Sequence, residues 1–329
     1  MQTIRLGSLT VYPYGVALAV AALVCLLIML AREKKELKPG TVSWFALTAP
    51  VLGVVFGRIG YFLVSIRWFL SRGAETFFQF TEGGYMLYGV MIGIVLAAFL
   101  TARITKQKTA TVLDAAAAPF ALFTALARGA EYFAGVGLGD YIEEWFDPEF
   151  GRTMFPTENY GFFLRFPFGV TDEYGDWRFA VFMLEAAAAL VLAIGLFRGT
   201  YRKSGTRALL FLGWYASPQT VLESLRLDLE LRWGFVKVNQ LLVLPALAIV
   251  TVCCVMRTRK ELRTFRRFIG PVGGILGCCG VVMAMEFALE RKIGFLTWMR
   301  MDLCWFVMAL AAITMGLFAR YMILQSDKD

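Results

Sequence analysis

Arg128 and Glu131 stand three residues apart in "LARGAEYFAGVGLG" (126–139), a stretch otherwise made of apolar, aromatic and glycine residues. Gln219, Glu223 and Arg226 of "GWYASPQTVLESLRLD" recur at i, i+4 and i+7, which is one face of a helix. Tyr14 in "VYPYGVAL", Arg58 in "VVFGRIGYFLV", Tyr88 in "GGYMLYGVMIG" and Glu185 in "FMLEAAAALVL" are likewise isolated among apolar neighbours. Arginine, carboxylate and tyrosine suit gripping a phosphate bidentately and holding or moving one proton beside it. The chain contains no histidine, which removes a histidine general base, a Ser-His-Asp triad and most zinc sites. No metal and no cofactor is expected.

These groups must be positioned by membrane-spanning helices. Of 329 residues, 58% are hydrophobic and 18% charged, with mean hydropathy +0.63, more than one soluble core needs. Apolar windows near 12–31, 43–66, 84–102, 111–138, 178–197, 208–225, 236–256, 269–289 and 303–320 predict an all-α polytopic membrane protein with nine spans. The basic segments "AREKKELKPG", "ARITKQK", "RGTYRKSGTR" and "RTRKELRTFRR" follow spans one, three, five and seven, which predicts that they are cytoplasmic. The N-terminus is then outside and the C-terminus cytoplasmic. The long acidic loop 140–176 faces outward. The net charge of +8 reads as loops facing anionic lipid, with no basic, aromatic-interleaved patch for nucleic acid. The six cysteines fall in predicted spans and read as small apolar filler. Span one is too long for a signal segment and lacks a small-residue cleavage site, so it is expected to be retained.

Helix direction and a rise of about 1.5 Å per residue put Tyr14, Arg58, Tyr88, Arg128, Glu131, Glu185, Gln219, Glu223 and Arg226 in one layer, the outer half of the bilayer. Charge at that depth is costly, so a shared polar cavity is the economical reading. Taken alone, Arg128 and Glu131 equally make an ion pair on one helix surface. Small-residue runs such as "GGYMLYGVMIG" have close helix packing as their plainer reading. A transporter would carry polar residues on through the inner half, and this chain does not. The natural anion at outer-leaflet depth is a phospholipid head group. If the substrate brings the nucleophile, the site need only fix the phosphate as leaving group and help deprotonate the attacking atom.

Over roughly residues 10–256 the chain resembles the bacterial prolipoprotein diacylglyceryl transferase family. The resemblance is carried by "VYPYGVAL", "GRIGYFLV", "GGYMLYGVMIG", "VLDAAAAPFALFTALARGAEYF" with Asp114 and Arg128 at the family's spacing, Glu185, "VLESLR" and "VNQLLVLP". It implies transfer of the diacylglyceryl group of phosphatidylglycerol to the lipobox cysteine of a prolipoprotein, with release of glycerol phosphate, in a bacterial inner membrane. It also implies that Arg128 holds the lipid phosphate, that Tyr88 stands near the reacting thiol, and that Glu223 with Arg226 orders an outer gate. Tyr14, Arg58, Glu131, Glu185 and Gln219 then complete the substrate site, and 140–176 is the head that receives the peptide. The expected division is a transferase-like body, 1–256, with about seven helices, and an added C-terminal helical pair, 257–329.

Three departures matter. The family's Arg-x-Gly-Asn-Phe-x-Asn-Gly-Glu reads "RGAEYFAGV" here, with Glu131 for Asn, Ala134 for the later Asn and Val136 for Glu. Gln219 stands where the family has an arginine, and Val90 where it has a second glycine after Tyr88. These leave a second expectation, a divergent or non-catalytic paralogue that binds membrane lipid.

Overall fold

The structure is a computed structural model describing residues 4–6, 9–79, 83–227, 232–233, 236–258, 265–292 and 294–328. Part of the basic segment after the seventh span, 259–264, lies outside the described residues. The chain is an all-α polytopic membrane protein. Its long helices are α1 (Pro13–Glu36), α2 (Thr41–Val64), α4 (Leu87–Ile104), α5 (Thr109–Ala134), α7 (Val181–Arg198), α8 (Thr206–Leu225), α9 (Val238–Arg257), α10 (Gly270–Leu289) and α11 (Met301–Lys328). Short helices α3 (Ile66–Arg72) and α6 (Ile142–Phe146) lie in connections. Three two-stranded hairpins (Ile4–Leu6 with Leu9–Val11, Gly169–Thr171 with Trp177–Phe179, and Arg232–Trp233 with Val236–Lys237) and three short helical turns (Ala74–Phe78, Phe265–Ile269 and Gly294–Leu296) complete the described elements.

Eight of the long helices are apolar enough to cross a membrane. The sixth expected span, α8, is also long enough, but Ser217, Gln219, Thr220, Glu223 and Ser224 lower its hydropathy. Its burial removes the conflict: 14 of its 20 residues are buried, so protein rather than lipid surrounds it. Predicted boundaries hold to within a few residues, except where local chemistry overrides hydropathy. The helix expected to reach 138 ends at Ala134, because Gly135 takes a left-handed conformation (φ 66°) and its N–H bonds back to the carbonyl of Tyr132 at 3.4 Å. At the other extreme, α11 runs eight residues past the expected 320, because Asp327 is anchored. Its carboxylate accepts from the backbone N–H of Arg202 (3.1 Å) and Lys203 (2.9 Å) and from the Thr206 hydroxyl (2.7 Å).

Glycines set the closest contact. α2 and α4 meet through Gly53 and Gly57 on one side and Gly89 and Gly93 on the other; a Cβ on Gly93 would come within 2.6 Å of the Leu52 carbonyl carbon. Such small-residue faces let two helices approach without a hydrophobic driving force from lipid. Buried alanines also occur on α5 (Ala117, Ala118, Ala121) and on α7 (Ala189, Ala193), two helices that pack against each other. One hydrophobic core then runs from α5 through α7, α8 and α9 into α10 and α11, so the C-terminal pair shares the core of the preceding helices. Gly316 of α11 lies against the Trp214 ring of α8, where a Cβ would come 2.7 Å from it.

Because successive long helices alternate in direction, the starts of α1, α4, α7, α9 and α11 share one end of the bundle with the finishes of α2, α5, α8 and α10. The acidic connection 140–176 also lies there. The opposite end holds the basic connections. There Asp114 accepts from the N–H groups of Gly205 (2.6 Å) and Ala208 (2.9 Å), satisfying orphan donors at the start of α8.

Candidate active site

The polar side chains at the acidic-loop end form a closed ring of two arginines and two carboxylates. From the last turns of α5, Arg128 Nη1 meets Glu131 Oε1 at 2.6 Å. Arg128 Nε reaches Glu185 Oε2, in the first turns of α7, at 3.2 Å. Arg226, the residue that closes α8, meets the same Glu185 oxygen at 2.9 Å and Glu131 Oε2 at 3.2 Å. The Glu185 side chain is fully buried, and those of Glu131 and Arg226 are less than a tenth exposed. Desolvated arginine–carboxylate contacts of this kind hold their geometry tightly, and removing one member leaves uncompensated charge.

The ring is supported from all sides. Arg226 sits where the chain leaves α8 in an extended conformation (φ −78°, ψ 137°), so its side chain swings back over the helix end. Lys237 donates its ammonium to the carbonyls of Glu223 and Arg226, capping the negative end of α8. Asn239 Nδ2 donates to Glu223 Oε1 at 2.8 Å. A Cβ on Gly137 (φ 78°) would come 2.5 Å from Glu131 Oε2, so the absence of a side chain there lets the loop pass over the carboxylate.

Around the ring stand the other expected groups. Glu223 lies within electrostatic range of Arg128 and Arg226. Tyr88 faces Glu223 and Arg128, and packs edge-on against Tyr215 with ring centroids 6.0 Å apart. Its buried hydroxyl has no hydrogen-bond partner among the described residues. Tyr14 approaches from α1 and is in electrostatic range of Glu131, Arg128 and Arg226. Gln219 and Glu185 line one small cavity with Tyr215 and Pro218. In that cavity the Gln219 Oε1 and Glu185 Oε1 atoms are buried without hydrogen-bond partners among the described residues.

Arg58 shares this end of the bundle but is engaged elsewhere. Nε donates to the Phe77 carbonyl (3.0 Å), Nη2 to those of Thr76 (2.7 Å) and Gln79 (3.2 Å), and Nη1 to those of Gly83 and Gly84. Its N–H donors therefore tie Thr76, Phe77 and Gln79 to Gly83 and Gly84, between α3 and α4. Replacing Arg58 by lysine leaves at least two of those carbonyls without donors, a cost on the order of 2 kcal/mol. The expected result is a clearly lower melting temperature and faster proteolysis within 72–86, with the ion ring intact.

Sequence reasoning did not single out Tyr215, Lys237, Asn239 and Gly137. Lys237 and Asn239 flank or fall within "VNQLLVLP", where the polar pair ahead of an apolar helix was the available signal. Gly137 signals its role only through its φ. Among the described residues no group of three or more His, Cys, Asp or Glu side chains is arranged to hold a metal ion.

Residues 2–256 match the family described as prolipoprotein diacylglyceryl transferase. Curated relatives named phosphatidylglycerol–prolipoprotein diacylglyceryl transferase include one from Listeria welshimeri, 25% identical over 243 residues, 73% of this chain and 83% of that protein. A relative of the same name from Bacillus licheniformis is 24% identical over 273 residues (81% and 92%), and one from Symbiobacterium thermophilum 26% identical over 266 residues (78% and 93%). A family match spanning most of the chain, laid over a buried arginine–carboxylate ring at one end of a helical bundle, means that the chain belongs to the prolipoprotein diacylglyceryl transferase family.

Proposed function

We propose that this chain transfers the diacylglyceryl group of phosphatidylglycerol to the cysteine thiol of a lipobox-containing prolipoprotein. The carrying observation is the convergence of Arg128 and Arg226 on shared carboxylates beside Tyr88 and Glu223. Two guanidiniums converging on shared oxyanions have the geometry that a phosphate diester needs. The lipid phosphate takes over N–H donors now given to Glu131 and Glu185. The thiol sulfur attacks the glyceryl carbon bonded to the phosphate oxygen. The C–S bond forms, the C–O bond breaks, and glycerol phosphate leaves with its charge held by the arginines. Glu223 receives the thiol proton, and the Tyr88 hydroxyl stands beside the attacking sulfur.

In this reading the protein lies in the bacterial inner membrane with its N-terminus outside, its C-terminus cytoplasmic and 140–176 as the peptide-receiving head. The purified protein, given labelled phosphatidylglycerol and a lipobox peptide, is expected to lipidate the peptide cysteine and not a cysteine-to-serine peptide. No label on either peptide overturns the transferase.

One observation favours a second reading, a lipid-binding relative without turnover: both arginines already sit against carboxylates. Its signature is phosphatidylglycerol retained by the wild type, lost from Arg128→Ala and recovered unchanged.

A further inference from the structure

Residues beyond 256 lie outside the family match, yet α10 and α11 reach the turn of α8 that carries Glu223 and Arg226. From α10, Glu286 Oε1 accepts from Gln240 Nε2 at 2.6 Å, and the same amide nitrogen donates to the Thr220 carbonyl at 2.8 Å. Gln240 stands in the first turn of α9 beside Asn239 and Lys237, the two residues that hold the Glu223 carboxylate and the carbonyls of Glu223 and Arg226. From α11, the Trp305 indole N–H donates to Ser224 Oγ at 3.1 Å, one residue past Glu223.

The start of α11 is fixed at the same time to the acidic head. Trp305 stacks on Trp145 with centroids 4.8 Å apart and planes 9° apart. Asp302 accepts from the Thr153 hydroxyl (3.0 Å) and the Met154 N–H (2.8 Å), and Arg300 donates to the Thr153 carbonyl (3.1 Å). Trp305 therefore bridges the head and α8. A carboxylate such as Glu286 on a membrane-crossing helix is costly and is retained where it has work beyond packing.

We infer that Glu286 and Trp305 are positioning residues: the C-terminal pair holds the last turn of α8 where Glu223 and Arg226 meet α5 and α7, and ties that turn to the head. The catalytic consequence rests on the transferase reading; the positioning itself does not. A turn that loses one of these bonds samples other placements, and small displacements of a charged clamp are expensive for turnover.

The test uses the full chain in phosphatidylglycerol nanodiscs, with Glu286→Leu removing the acceptor, Glu286→Gln keeping a carbonyl acceptor, and Trp305→Phe keeping a ring without the N–H. Backbone amide exchange over 221–227 is expected to rise roughly tenfold in Glu286→Leu and Trp305→Phe, with 206–215 unchanged and Glu286→Gln near wild type. In the same preparations kcat for transfer falls about tenfold while KM for lipid stays within about twofold. Leu276→Ala and Leu310→Ala, exposed positions on the same two helices, leave both readouts unchanged. Exchange that stays at the wild-type rate over 221–227, or rises equally over 206–215, overturns the inference. A wild type that transfers no lipid refutes the transferase reading alone, and the exchange measurement still decides the positioning.

Discussion

Arg128→Ala is expected to lower diacylglyceryl transfer by about 10³-fold or more, mostly in kcat, because it removes the donor set that meets charge developing on the departing phosphate. The same substitution also strips Glu131 and Glu185 of a shared cation, and breaking a buried ion pair on one side costs on the order of 3–5 kcal/mol. Loss of activity from misfolding must therefore be separated from loss of chemistry. Arg128→Leu combined with Glu131→Leu removes one charge of each sign and leaves the Arg226–Glu185 contact of 2.9 Å in place. The double variant is expected to recover most of the melting temperature and none of the transfer. If transfer returns with stability, Arg128 holds the fold and nothing else. Arg128→Lys makes the complementary point: a point charge keeps the ring neutral but cannot bridge two carboxylates or grip a phosphate with a planar fork.

The ring itself was largely legible in the sequence. Charge at membrane depth is rare enough that Arg128, Glu131, Glu185, Glu223 and Arg226, placed by helix direction alone, pointed to one layer. Depth is a single coordinate, however, and it could not say which side chains meet around the bundle axis. Arg58 shares the depth and spends its donors on the backbone carbonyls of Thr76, Phe77, Gln79, Gly83 and Gly84, which lipid could not satisfy. Nor could hydropathy foresee that α8, among the less apolar of the long helices, lies surrounded by the others. Its polar residues are tolerated because protein covers them, and one of the covers is α11, outside the family match. The glycine-rich runs did read correctly as packing faces, since Gly89 and Gly93 press against the backbone of α2.

Glu131 stands where the resembling family has Asn, and neutralising it is expected to strengthen lipid binding. In the resting site its two oxygens hold Arg128 at 2.6 Å and Arg226 at 3.2 Å, so one carboxylate occupies donors on both cations that a phosphate would use. A lipid phosphate must displace that contact and then sit near its negative charge. At an effective dielectric of about 20 and a separation of roughly 7 Å, the repulsion is about 2 kcal/mol, or roughly 30-fold in affinity. Glu131→Gln keeps the reach and one acceptor while removing the charge, and KM for phosphatidylglycerol is expected to fall by that order. The companion variant Glu131→Asn, which restores the family's residue, is shorter and frees Arg128 further, so its KM should be no higher than that of Glu131→Gln. Glu185 still contacts both arginines from its fully buried position, but one cation is left uncompensated, so the lipid-free variants are expected to melt lower and to regain wild-type melting when phosphatidylglycerol is bound. A KM that is unchanged or raised, with the fold intact, would mean that the two arginines never exchange carboxylate for phosphate. The ring would then be a structural clasp, and the lipid's charge would have to be met elsewhere.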